Sequence, residues 1–184
     1  MKTLMIHEVH DWMLNLDLSE FDSFTFDDGL FSQYKNIKHF IKFNKPIYFF
    51  ICTGSVCPEE ALQNDEVLSC DDAHDLFFEF GDRTNYMKWS QIQEIKNAPN
   101  CYIGGHSHSH PSLRNNKLIE QSLIVKSDVE LMLKEFKNQN IDIDSFCYPY
   151  NYESYAWAAY CVPNGITNFY GAERTPIETL KDKV

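Results

Sequence analysis

Apolar and polar residues alternate through Phe21 to Phe26 and stop at Asp27-Asp28-Gly29, a pattern that predicts a short strand ended by a turn. From Leu30 to Phe43 the spacing changes. Leu30, Tyr34, Ile37 and Ile41 recur at helical intervals, so a helix with one buried face is expected there. Pro46 to Cys52 is a short continuous apolar run, as in a strand covered on both faces. Residues 53–70 carry Thr, Ser, Gly, Pro and Asn with little period and read as a long loop. Helical stretches are expected at 71–80 and 89–97, and a strand at Cys101 to Ile103 runs into Gly104-Gly105. Ser127 followed by Glu130 forms a capping box for a helix that turns Val129, Met132, Leu133 and Phe136 inward. A strand at Ser145 to Tyr148, a helix from Tyr155 to Cys161 and a last strand at Ile166 to Tyr170 complete the pattern.

Strands alternating with helices imply an α/β fold with a mainly parallel sheet or barrel. No repeat, low-complexity tract or composition break divides the chain, so residues 1–184 are read as a single domain. In such folds ligand sites gather where strands end at their carboxyl edge. Three polar clusters fall there: Asp27-Asp28, the run His106-Ser107-His108-Ser109-His110-Pro111, and Pro149-Tyr150.

Composition narrows the partners. The chain has 184 residues, 43% hydrophobic and 15% aromatic, with a formal net charge of -11. That charge would repel a phosphate backbone, so nucleic acid is not an expected partner. The longest apolar run, Pro46 to Cys52, is far below the roughly 18 residues that cross a bilayer. His7, Glu8, His10 and Asp11 interrupt the amino-terminal stretch where a secretory signal would be apolar, and a cytoplasmic location is the expectation. The six cysteines are then read as reduced thiols, with Cys52, Cys101 and Cys147 in apolar strand contexts. A zinc site from Cys52, Cys57 and Cys70 has no close-paired ligand spacing to support it.

The polar clusters carry the candidate chemistry. Two adjacent carboxylates in extended backbone point to opposite sides, so one can bind a metal while the other accepts a proton. An acidic turn is the competing reading of Asp-Asp-Gly alone. Three imidazoles in five residues point to metal binding. A helical turn would put His106 and His110 on one face; an extended run would align all three. Pro111 disfavours helix at His110, and spacing leaves the pair open.

Thr25-Phe26-Asp27-Asp28-Gly29 followed by His106-Ser107-x-x-His110-Pro111 resembles the first two motifs of the NodB-like polysaccharide deacetylases, carbohydrate esterase family 4. Met87-Lys88-Trp89-Ser90-Gln91-Ile92 is similar to the family's approach to its second motif, and Pro149-Tyr150 to a remnant of its third. The resemblance runs from about Phe21 to Tyr150; Phe169-Tyr170-Gly171-Ala172-Glu173-Arg174 further resembles a divergent, WbmS-like branch. It implies a distorted (β/α) barrel of the NodB type, with Asp28, His106 and His110 holding one divalent metal. Zinc comes first, with cobalt, nickel or iron as alternatives. It implies Asp27 as base, the backbone N–H of Tyr150 as oxyanion donor, and Pro149, Tyr150 and Asn151 as substrate-binding residues. The implied function is removal of an N-acetyl group from an amino sugar in a surface polysaccharide or its precursor.

Two departures from the family pattern stand out. The arginine that opens the third motif and orients the base is absent from Phe146-Cys147-Tyr148-Pro149, and Arg174 is the candidate substitute, because a guanidinium can clamp a carboxylate. The late Leu-x-His that supplies the general acid has no counterpart after His110. His7, His10 or His108 could replace it only if the fold brings one near. The competing reading is therefore a catalytically impaired carbohydrate- or metal-binding protein. A phosphoesterase is a third reading, disfavoured by the lack of a second ligand set and of a Gly-rich phosphate loop.

Overall fold

A computed structural model describes residues 2–183. Seven strands form one parallel sheet: β1 (Thr3–Ile6), β2 (Ser23–Phe26), β3 (Ile47–Ile51), β4 (Cys101–Gly105), β5 (Ser145–Cys147), β6 (Asn168–Tyr170) and β7 (Thr175–Pro176). Their spatial order is β6-β5-β4-β3-β2-β1-β7, and every pairing is parallel. The helices are α1 (Phe31–Ile41), α2 (Cys70–Phe80), α3 (Trp89–Lys96), α4 (Leu118–Asn138) and α5 (Tyr155–Cys161). The sheet curls into a half-barrel, the distorted (β/α) barrel of the NodB type. Its outer strands β6 and β7 are consecutive in the chain, joined only by Gly171–Arg174, so that short segment crosses the gap between the two sheet edges.

Aromatic rings fill the space between sheet and helices. Phe26 stacks on Phe49 at 4.8 Å and meets Phe40 of α1 edge-on at 4.9 Å. Gly105 lets α4 approach β4, since a Cβ there would stand 2.6 Å from Met132 Sδ. No helix among the described residues is long and apolar enough to cross a membrane.

Three departures from the periodicity reading have physical causes. Leu4, Met5 and Ile6 are buried in β1, but the run is too short to separate from the polar His7-Glu8 that follows. β7 holds Pro176 and lies beyond the strand expected to be last; a residue without an N–H is tolerated at a sheet edge. The helix expected to start at Ser127 begins at Leu118, where Glu120 Oε2 accepts from the Lys117 N–H at 2.8 Å. Leu118, Ile119 and Leu123 are 68–73% exposed, so its first turns carry no buried apolar face.

Candidate active site

The ladder from β1 continues one residue past β2, with the Asp27 N–H donating to Ile6 O at 3.0 Å. Backbone direction then changes abruptly: Asp28 has φ 70° and Gly29 φ 79°, both left-handed. The two carboxylates therefore diverge because the chain turns, not through the alternation of an extended strand. Gln33 Nε2 of α1 donates to both Asp27 O (2.5 Å) and His7 O (2.7 Å), tying the ends of β1 and β2 together. Both carboxylates are buried, with 2% and 1% exposure.

Asp27 faces Arg174. Nη1 of the guanidinium donates to Asp27 Oδ1 at 2.8 Å and to Thr25 Oγ1 at 3.0 Å. Nη2 donates to Asn151 Oδ1 (2.8 Å) and Cys147 Sγ (3.1 Å), and Nε to Gly171 O (2.9 Å), so the planar fork is used throughout. The Cys147 thiol donates to the other oxygen of Asp27 at 3.3 Å. Burial acts to raise the Asp27 pKa, but Arg174 first, then His106 and His7, hold the carboxyl below its usual range.

Asp28 faces the histidines. Nε2 atoms of His74, His106 and His110 each lie 3.3 Å from Asp28 Oδ1, and those of His106 and His110 are 3.2 Å apart. Asp28, His106 and His110 form a group whose donor atoms all lie within 4.8 Å of one another. His106 Nδ1 pairs with Cys147 O at 2.8 Å, which directs the Nε2 lone pair at the cluster. Burial pushes the His110 pKa down to about 3, keeping it a neutral ring able to bind a cation. For Asp28, burial is outweighed by His106 and His74, and the carboxyl is held well below its usual range.

The histidine run is neither helical nor extended. Ser107 and His110 are left-handed (φ 69° and 51°), and the Ser107 hydroxyl accepts from the His110 N–H at 2.9 Å. His108 turns away, its Nδ1 2.9 Å from Thr53 Oγ1. The loop is held from α4 by Asp128, whose carboxylate accepts from His108 N, Ser109 N and Ser109 Oγ at 2.6–2.8 Å. Non-glycine residues in such backbone are costly and persist where surrounding contacts over-determine them.

Asp27, Asp28, His74, His106 and His110 line a cleft of about 90 Å³ together with His7, Cys70, Tyr148, Tyr150 and Asn151. Tyr150, φ 56°, is half-exposed and sets its ring against His110 at 4.5 Å. Pro149 is buried, and the Asn151 side-chain oxygen accepts from Arg174, so Tyr150 forms the exposed wall of that trio. Of the three histidines considered as acid, only His7 lines the cleft, with Nε2 3.9 Å from Asp27 Oδ2. His10 faces Glu8 instead, at 3.5 Å. All six cysteines are free. Cys52, Cys57 and Cys70 form no common metal-binding group among the described residues. His74 and Asp128 escaped the sequence reading because each sits in a helix, where its spacing looks like ordinary amphipathic pattern; Cys70, weighed there only with Cys52 and Cys57, instead meets Asp28.

Comparison with known proteins agrees with this fold. The polysaccharide deacetylase family profile matches residues 22–167. No curated protein gives a significant match. Among solved structures, IcaB from Ammonifex degensii superposes with a TM-score of 0.65 at 16% identity, covering 96% of this chain and 84% of that one. A de-N-acetylase from Aggregatibacter actinomycetemcomitans gives 0.66 at 14% identity, covering 95% and 92%. The Streptococcus pyogenes deacetylase PplD gives 0.55 at 14% identity, covering 90% and 80%.

Proposed function

This chain belongs to the polysaccharide deacetylase family, and from that premise we propose that it is a metal-dependent hydrolase removing the N-acetyl group from an amino sugar of a surface polysaccharide or its precursor. The observation that carries the reading is the Arg174–Asp27 ion pair at 2.8 Å, standing beside the Asp28–histidine cluster. It supports Arg174 as the substitute for the missing motif arginine, one of the two grounds of the impaired-enzyme alternative.

Asp28, His106 and His110 suit a divalent ion: a buried, ionised carboxylate oxygen with no hydrogen-bond partner faces imidazole nitrogens. Zinc fits two imidazoles and a carboxylate best. When bound, the ion supplies Lewis acidity toward the acetyl carbonyl and makes a water easier to deprotonate. Asp27, ionised and aimed by Arg174, accepts the proton of the attacking water. The Tyr150 N–H donates to the oxygen that gains charge. His7, at the mouth of the same cleft, protonates the nitrogen as the C–N bond breaks. Acetate and a free amine leave.

The test is acetate release from an N-acetylated amino-sugar oligomer, by metal-stripped and zinc-restored protein, beside a generic phosphate ester. We expect acetate only from the restored protein and no phosphate. Stoichiometric zinc with no acetate from any N-acetylated sugar would return the protein to a binding role.

A further inference from the structure

The Ser69 hydroxyl accepts from the Asp72 N–H and caps α2, so Cys70 stands at the first helical position. Glu8, two residues past β1, fixes that helix start from the other side, its Oε2 accepting from the Cys70 N–H at 3.1 Å. The Cys70 side chain therefore enters the cleft beside His7 and Asp28. The reaction proposed above makes no use of it.

The thiol lies 3.1 Å from Asp28 Oδ2, whereas His106 and His110 face the other oxygen, Oδ1, at 3.3 Å. Donor atoms of His7, Asp28 and Cys70 all lie within 4.8 Å of one another, as those of Asp28, His106 and His110 do. The two groups share only Asp28, and Cys70 and the two histidines meet it on different oxygens. A carboxylate offered in this way can bridge two ions, which in two-metal sites stand about 3.5–4 Å apart. Sulfur, imidazole nitrogen and carboxylate oxygen, brought together from three separate segments, form a donor set that zinc accepts. Asp71 also lines the cleft and adds negative charge there. His7 and Cys70 are each half-buried, so an ion can arrive from solvent.

We propose that His7, Asp28 and Cys70 form a second cation site, weaker than the first, and that an ion there shuts the hydrolase off. It is weaker because Asp28 is shared and because two dications at that spacing repel. As the sulfur–metal bond forms, the thiol gives its proton to solvent. An imidazole nitrogen bound to an ion carries no proton, and His7 held in this way no longer protonates the leaving nitrogen. The cleft of about 90 Å³ also loses room for the acetyl group. The inhibition rests on the function proposed above; the site itself does not.

Cobalt added to the metal-stripped full chain is the probe, because a cobalt–thiolate bond shows a charge-transfer band in the near ultraviolet that imidazole and carboxylate ligands do not give. Two equivalents are expected. The first should bind without the band and start acetate release from an N-acetylated amino-sugar oligomer. The second should bring the band and lower that release by at least about 10²-fold, the scale of a lost general acid. Cys70→Ala should keep the first equivalent and lose the band, the second equivalent and the inhibition. A single equivalent without the band in the wild type, a band that survives Cys70→Ala, or a second equivalent that leaves acetate release unchanged would overturn the inference and leave the proposed function standing. Two equivalents with the band but no acetate at any loading would uphold the site and overturn the proposed function with its inhibition. A chain that binds no cobalt would overturn both.

Discussion

Asp27 and Asp28 are sequence neighbours with separate surroundings, a guanidinium for one and imidazoles for the other. Asp27→Asn should keep its metal and lose turnover by roughly 10²–10⁴-fold, the usual contribution of a general base. Asp28→Asn should lose metal first. Metal content and acetate release on both variants check this, and equal metal loss in the two would refute the division. Arg174→Met removes the largest influence that opposes the burial of Asp27, so its carboxyl pKa rises. Because the base works ionised, the acidic limb of kcat/KM should move to higher pH, and an unmoved limb would mean Arg174 does not act through Asp27. The motif residues Asp27, Asp28, His106 and His110 were legible because short spacing displays them together. Arg174 was legible only as a candidate, since nothing local in a guanidinium distinguishes a surface residue from one 147 positions away in sequence and in contact. His74 was not legible at all: with Ala73 and Phe77 nearby, it reads as one more position on a helix face.

At the scale of elements, the site depends on how α4 grips the histidine loop. Asp128 accepts three hydrogen bonds from that loop while being only 4% exposed. Asp128→Ala strands those donors, and a loss of about 2–4 kcal/mol is expected from unmet buried groups. Metal affinity should fall with it, because Ser107 and His110 would lose the contacts that hold their left-handed backbone. Denaturant titration and chelator competition on the one variant check both; a destabilised protein with undiminished affinity would show that the loop holds its shape alone. Most elements were legible from period and run length, and Tyr155–Cys161 matches the expected span. Those missed share one property. β1, β7 and the first turns of α4 are too short or too exposed for a burial period to form.

For the molecule as a whole, alternation of strand and helix was enough to anticipate a parallel sheet, while its curling into a half-barrel was implied only by the family resemblance. Sheet curvature depends on contacts between distant segments, which leave no local pattern. An ion bound only by the folded chain should stabilise it by RT ln(1 + [L]/Kd), about 2.7 kcal/mol at a hundredfold excess over Kd. For a chain of this size that is a rise in Tm of about 5–10 °C, readable in a melting experiment with and without zinc. No rise under saturating zinc would argue that the cluster binds no ion.

The segment Gly171–Arg174 that spans the open side of the half-barrel has a consequence in time. A ribosome releases the chain from its amino terminus, and domains form as their parts emerge. Asp28, His106 and His110 all precede Arg174 in the order of synthesis. The residue that pairs with Asp27 is thus among the last of the site to be made, and it reaches its partner only because the crossing segment returns the chain to the β1 side of the sheet.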